Sequence, residues 1–164
     1  MNLGVVILAL VTLERLAELP WATANMRRLV AAGGHEFAPG HYPLIVLVHA
    51  TWLGALWLLA PGRPVSLQFL AAFALVEVGR IWVLATLGRR WTTRIIVVPG
   101  ETLVARGPYR FVRHPNYWVV AAEIVLLPLV FGLWQVALVF SLLNAIVLTI
   151  RIRAEAQALE SVRR

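Results

Sequence analysis

Residues suited to holding an anion and an aromatic ligand crowd into one short stretch of this sequence: Arg113, His114, Pro115 and Tyr117. Pro115 suits the first turn of a helix, where its missing N–H would have no partner in any case. Arg113 and His114 then precede that helix and Tyr117 lies within its first turn. A basic pair and a phenol are thus presented around a helix N-terminus, where backbone N–H groups and the dipole favour an anion. A second group comes near the end of the chain, in Arg151-Ile152-Arg153-Ala154-Glu155. Arg151 and Glu155 stand at i,i+4, hence on one helix face. Arginines for a carboxylate, a glutamate for an amino group or hydroxyls, and an aromatic ring for a flat base would suit a zwitterionic, nucleotide-like ligand. The competing reading is anionic-lipid binding, because basic residues just inside a membrane contact headgroups.

A further set of polar groups lies inside apolar runs: Glu14, Arg15, Glu18, His49, Glu77, Arg80, Glu123 and Asn144. A charge at the centre of a membrane helix costs about 2.5–3.5 kcal/mol on insertion scales, so each needs a partner, a cavity or a route to the interface. Arg15 with Glu18, and Glu77 with Arg80, are spaced to pair within their own helices. Glu14 and Glu123 have no such partner and are expected to face a neighbouring helix or a cavity. His49 reads as a packed, hydrogen-bonded histidine, with a base as the alternative. Glu14, Glu18, Trp21, Asn25 and Arg28 recur at helical spacing and predict a stripe that lines something wet.

The elements that must position these residues follow from composition. A chain of 164 residues that is 60% hydrophobic, with mean hydropathy +0.79, is too apolar for a soluble domain and fits one small polytopic membrane domain, all-α in class. A spanning helix needs roughly 20 apolar residues to cross about 30 Å of hydrocarbon. Residues 2–21, 43–60, 65–87, 116–130 and 133–150 predict five such helices, the fourth short enough to be re-entrant. Arg27, Arg28, Arg89, Arg90, Arg94, Arg106, Arg110, Arg113, Arg151, Arg153, Arg163 and Arg164 then fall on one side, and Arg63 alone on the other. The arginine-rich side is therefore expected to be cytosolic, with the N-terminus outside and the C-terminus inside. Trp21, Trp91 and Trp118 would sit at the inner interface, Trp57 and Trp134 at the outer one. In the long central loop, Arg94 to Val98 reads as a short extended segment, with turns at Pro99-Gly100 and Gly107-Pro108.

The net charge of +7 invites a nucleic-acid reading, but these arginines flank membrane spans and no nucleic acid is expected. Cysteine is absent, which excludes disulfides, thiolate nucleophiles and cysteine-held metal, and no metal site is expected. No basic residue precedes the apolar run from Leu3 to Leu13, and Glu14 follows it, so a cleaved signal peptide is not expected.

The run GPYRFVRHPNY closely resembles the G-x-Y-x-x-x-R-H-P-x-Y signature of the isoprenylcysteine carboxyl methyltransferase family, and RIRAEAQAL resembles that family's closing R-x-x-x-E-E-x-x-L element. The resemblance covers about residues 89–159, in the right order and with a helical hairpin between the motifs. The Arg89 to Gly100 run, ERLAEL and HYP further resemble the family's short bacterial branch, whose members often accompany polyketide synthases. Members are integral membrane enzymes that use S-adenosylmethionine. Carried over by position, the resemblance implies that Glu101, Thr102, Leu103 and Val104 line the cofactor. Tyr109, His114, Pro115, Asn116 and Tyr117 would surround it and Glu155 would close the site, with Arg113 added as the other half of the basic pair. Arg151 would sit beside the acceptor's reacting group. Ala156 departs from the family, which often has a second glutamate there.

The resemblance thus implies a cofactor pocket formed by the central loop and the last two helices, within residues 89–164. The three helices of residues 1–88 would lie on the acceptor side. The implied reaction is methyl transfer to oxygen, leaving S-adenosylhomocysteine. An acceptor carboxylate needs no base and would be oriented by Arg151, whereas a phenol or enol must lose a proton, for which Glu14, Glu18, His49 and Glu123 are candidates. The acceptor is expected to be lipophilic and to enter from the bilayer, first as a polyketide-derived phenolic or pyrone lipid and second as a prenylcysteine-like carboxylate. The expected location is the cytoplasmic membrane of a bacterium, with the site facing the cytosol. The alternatives are a non-catalytic protein whose basic face binds anionic lipid or a partner, and a related membrane reductase.

Overall fold

Apolar runs punctuated by glycine and proline fold into helices in the computed structural model, which describes residues 2–163. Among those residues the α-helices are α1 (Leu3–Ala31), α2 (Tyr42–Leu59), α3 (Leu67–Leu87), α4 (Pro115–Val130) and α5 (Trp134–Arg163). The helical class therefore stands, with one small addition. Strands β1 (His35–Glu36) and β2 (Ile96–Val97) pair antiparallel, His35 opposite Val97 and Glu36 opposite Ile96. Arg164 lies outside the described residues, as do the side chains of Leu159, Ser161, Val162 and Arg163.

Two helices run further than their apolar segments predict. Asn2 caps α1 by accepting a hydrogen bond from the Gly4 N–H at 3.0 Å, and the helix continues past Pro20 to Ala31. Its inner end is held by packing: Ala22 joins Leu84 and Trp91 in a buried cluster. Asn25, also buried, donates to the carbonyls of Gly88 and Trp91 at 3.2 and 2.9 Å. The far end of α5 is extended in the same way, because Ala154 and Ala158 pack on Ile95 and Val97.

Among the described residues three segments are long and apolar enough to cross a membrane: Pro39–Leu59, Leu67–Arg90 and Trp134–Ala158. The other two expected spans fall short for physical reasons. Glu14, Arg15 and Glu18 interrupt the middle of α1, and α4 has 16 residues, with Pro128 near its end.

Along their length the helices form three levels. At one end lies an apolar core, in which Ile7, Leu8 and Val11 of α1 meet Trp52 and Leu56 of α2, Phe73 of α3, Ile124 and Leu127 of α4 and Val136 of α5. The Ser66 N–H donates to the Val130 carbonyl at 2.8 Å, and Gly4 lies against the Phe131 ring. The start of α1 and the α2–α3 and α4–α5 turns therefore share this end. The opposite end carries the inner part of α1, the strand pair, residues 88–114, the first turn of α4 and the last turns of α5.

The middle level is ionic. Arg80 binds Glu18 in a two-pronged contact of 2.8 and 2.5 Å and both oxygens of Glu123 at 3.1 Å. Arg15 lies 3.0 Å from Glu123, 3.4 Å from Glu77 and 3.7 Å from Glu18. Glu14 completes the group, 3.4 Å from Arg80 and 4.0 Å from Arg15. Glu14 and Glu123 do face other helices. The Glu77–Arg80 pair expected within α3 does not form, because Arg80 turns to α1 and α4 while Glu77 turns to Arg15. The stripe on α1 is in part a packing seam: Asn25 is buried, while Trp21 and Arg28 are exposed. Below its two glutamates, Trp21 stacks on the buried Trp91 with centroids 5.0 Å apart, and Arg28 donates to Asn25 at 3.2 Å.

Candidate functional site

The end opposite the apolar core holds a cavity of about 900 Å³. Each wall has a local cause. The Arg94 side chain donates twice to Glu36, at 2.9 Å each, and lies 4.4 Å above the Tyr42 ring. This ties the α1–α2 connection to the β2 segment. Gly34 makes the approach possible, since a Cβ there would stand 2.7 Å from the Leu29 carbonyl and 3.0 Å from Val98. After the Pro99-Gly100 turn, Glu101 pairs with Arg90 at 2.6 Å and Arg90 donates to the Thr102 carbonyl at 2.7 Å, which ties residues 101–104 to the end of α3. Tyr109 sits in a 3₁₀ turn, Gly107–Arg110. Gly107 has φ +57°, and a Cβ there would come within 2.5 Å of the Thr86 hydroxyl. Only glycine lets this turn rest directly on α3.

Across the cavity the two sequence motifs meet. The Tyr117 hydroxyl donates to Glu155 at 2.5 Å and accepts from Arg151 Nε at 3.0 Å. Arg151 also donates to the Thr93 carbonyl at 2.7 Å, which fixes the guanidinium against the β2 segment. His114 is the residue before α4. Its ring stacks on Tyr117, centroids 5.2 Å apart, and its Nδ1 lies 3.5 Å from Glu155. Burial, reinforced by the Glu155 carboxylate, pushes the Tyr109 phenol above its ordinary range. Tyr109 is therefore a neutral donor at any physiological pH.

Of the predicted cofactor residues, Glu101, Thr102, Leu103, Val104, Tyr109, Arg113, His114, Asn116, Tyr117 and Glu155 line this cavity, together with Arg151. Pro115 does not: it is buried at the first position of α4 and sets the helix that aims its neighbours. Glu14, Glu18, His49 and Glu123 are also not brought to the cavity. The three glutamates are held by Arg15 and Arg80 in the ionic level, and His49 donates from Nδ1 to the Ile45 carbonyl at 2.8 Å. The sequence reading missed the wall made by Trp91, Thr92 and residues 94–98, as well as Glu160. The one signal available in the sequence was the extended RIIVV run, which directly follows Thr93, whose carbonyl anchors Arg151.

The arrangement suits a ligand with both charges and a flat apolar part. Arg113 and Arg151 can take a carboxylate, Glu155 and Glu101 an amino group or hydroxyls, and Tyr109 with Leu103 and Val104 a ring. At about 900 Å³ the cavity falls in the range of about 300–1,000 Å³ usual for small-molecule sites.

Comparison with known proteins identifies the family. The profile of the isoprenylcysteine carboxyl methyltransferase (ICMT) family matches residues 68–161. The chain is 39% identical over 159 residues to YpbQ of Bacillus subtilis (strain 168), a protein described as uncharacterized, covering 94% of this chain and 95% of that one. No solved structure matches.

Proposed function

The chain belongs to the isoprenylcysteine carboxyl methyltransferase family, and from that premise we propose that it is a membrane enzyme transferring the methyl group of S-adenosylmethionine to an oxygen of a lipophilic acceptor. The observation that carries this reading is the bond between Tyr117 and Glu155. It joins the RHPNY turn to the end of α5 across one cavity whose charged and aromatic groups match the donor's.

When bound, S-adenosylmethionine supplies a sulfonium methyl that an acceptor oxygen can take in line, the O–CH₃ bond forming as the C–S bond breaks. The protein's share is alignment and exclusion of water. Arg113 and Arg151 would hold the donor's carboxylate or orient an acceptor carboxylate, Glu155 with Glu101 would take its amino and hydroxyl groups, and the Tyr109 side would face its base. The acceptor tail would lie among the helices of residues 1–88. Because Glu14, Glu18 and Glu123 are bound to arginines outside the cavity, we assign them to holding helices together and leave an acceptor carboxylate, which needs no base, as the simplest chemistry. A phenolic or pyrone lipid stays within the proposal, with its proton passing to the Tyr117–Glu155 pair. The arginine-rich end would face the cytosol of a bacterial cell, with five crossings and the N-terminus outside.

Calorimetry on purified protein tests the donor site. S-adenosylmethionine should bind, and His114→Ala or Glu155→Ala should weaken it; unchanged binding in both variants removes the assignment, and nicotinamide binding in its place would point to a reductase. Lipids of cells with and without the gene should differ by a species one methylene heavier.

A further inference from the structure

A second cavity, of about 670 Å³, adjoins the first and shares residues 103–105 with it. It runs between the end of α3, Thr86 to Arg90, and the segment ending at Arg106. Its charge is one-sided. Arg90 is neutralised by Glu101, but the side chains of Arg89 and Arg106 have no ion-pair or hydrogen-bond partner among the described residues. Their backbones are held together, because Gly107 lies directly on Thr86. Beside the two free guanidiniums the walls are apolar, with Leu87, Val104 and the exposed Leu103.

We propose that this groove binds the phosphate of an anionic phospholipid between Arg89 and Arg106, with the lipid's glycerol and upper acyl carbons on Leu87, Leu103 and Val104. Two observations favour a lipid over a soluble phosphate. The groove opens where the membrane-length segment Leu67–Arg90 ends, which is headgroup depth, where basic side chains attract anionic lipids. A soluble phosphate would use the arginines and leave the apolar wall in water. Because residues 103–105 also wall the donor chamber, an occupied groove steadies that wall, and the two sites are coupled reciprocally. The coupling rests on the function proposed above; lipid binding does not.

The test uses purified full-length protein in nanodiscs of phosphatidylcholine alone or with phosphatidylglycerol. Native mass spectrometry reads retained phosphatidylglycerol, and calorimetry reads S-adenosylmethionine affinity. The wild type should retain phosphatidylglycerol and bind the donor about fivefold or more tightly in its presence. R89Q/R106Q should lose both effects while matching the wild type in phosphatidylcholine. R27Q/R153Q, with the same charge removed from exposed positions elsewhere, should keep both. Equal losses in R27Q/R153Q would show a general basic face and overturn the site, as would failure of the wild type to retain phosphatidylglycerol. Inorganic phosphate reproducing the gain in phosphatidylcholine discs would show a free-anion site instead. Retention with unchanged donor affinity would overturn the coupling. Retention with no donor binding in any disc would uphold the lipid site and remove the methyltransferase reading alone.

Discussion

Tyr117 occupies the point where two distant parts of the chain exchange hydrogen bonds, donating to Glu155 and accepting from Arg151. Its hydroxyl helps to orient both charged partners, Arg151 together with the Thr93 carbonyl. Tyr117→Phe keeps the ring that stacks on His114 but leaves the carboxylate and the guanidinium without their shared partner. A hydrogen bond to a charged group contributes about 1.5–3 kcal/mol, which is roughly ten- to hundred-fold in affinity. Calorimetry should therefore show S-adenosylmethionine binding weakened by that factor. Glu123→Gln provides the contrast: it should lower the melting temperature and leave donor affinity within about twofold, since an interaction absent from the cavity cannot contribute to binding there. A donor affinity that falls equally in both variants would mean that the ionic level belongs to the site. The residues of this chamber were legible in the sequence where they are contiguous, in RHPNY, or share a helix face, as Arg151 and Glu155 do. The Thr93 carbonyl was not, because a backbone acceptor leaves no mark on residue type.

At the scale of elements, the ionic level shows what sequence can and cannot say about buried charge. That Glu14, Arg15, Glu18, Glu77, Arg80 and Glu123 each needed a partner followed from the cost of a bare charge among apolar helices. Spacing encodes the Arg15–Glu18 contact within α1; the other partners depended on how α1, α3 and α4 are arranged in space. For the same reason α1 reads as ending near Trp21. The polar residues beyond it look like a loop until Asn25 and Ala22 find the end of α3. Strands of two residues carry no periodicity to detect. Arg80, with Arg15, ties α1, α3 and α4 together, and its side chain is 6% exposed. Arg80→Gln leaves Glu18 and Glu123 sharing Arg15 as their one remaining cation among the described residues, and breaking a buried pair by removing one partner costs about 3–5 kcal/mol. Thermal unfolding in detergent should show a large loss, and R80Q/E123Q should recover part of it because fewer unpaired carboxylates remain. Purely additive losses would mean that the contact is not coupled. A second element-level device is the Gly107 turn. Gly107→Ala meets both a positive φ and the Thr86 side chain, so it should destabilise by about 1–3 kcal/mol. Thr86→Ala should relieve the steric part and leave the cost of the left-handed backbone.

The whole molecule separates its functions by depth: an apolar core at one end, an ionic belt in the middle and a polar chamber at the other. This layering bears on topology. Only three segments among the described residues are membrane-length by themselves, yet α4 starts at the chamber and ends beside Ser66, so it runs alongside most of α3 despite its 16 residues. The start of α1 reaches the same end, at Phe131. If α3 crosses the bilayer, its neighbours must lie in the bilayer with it, α4 screened by α3 and α5, and the charges of α1 satisfied within the ionic belt as a membrane interior requires. The proposed orientation, drawn from the arginine distribution, would put the chamber in the cytosol. The chain has no cysteine, so single cysteines report position without background. Arg63→Cys and Trp134→Cys, at the apolar-core end, should react with a membrane-impermeant maleimide on intact cells. Arg27→Cys and Arg153→Cys, at the chamber end, should react only after permeabilisation. Labelling of Arg27→Cys or Arg153→Cys on intact cells would invert the orientation, and with it the supply of a cytosolic methyl donor to this chamber.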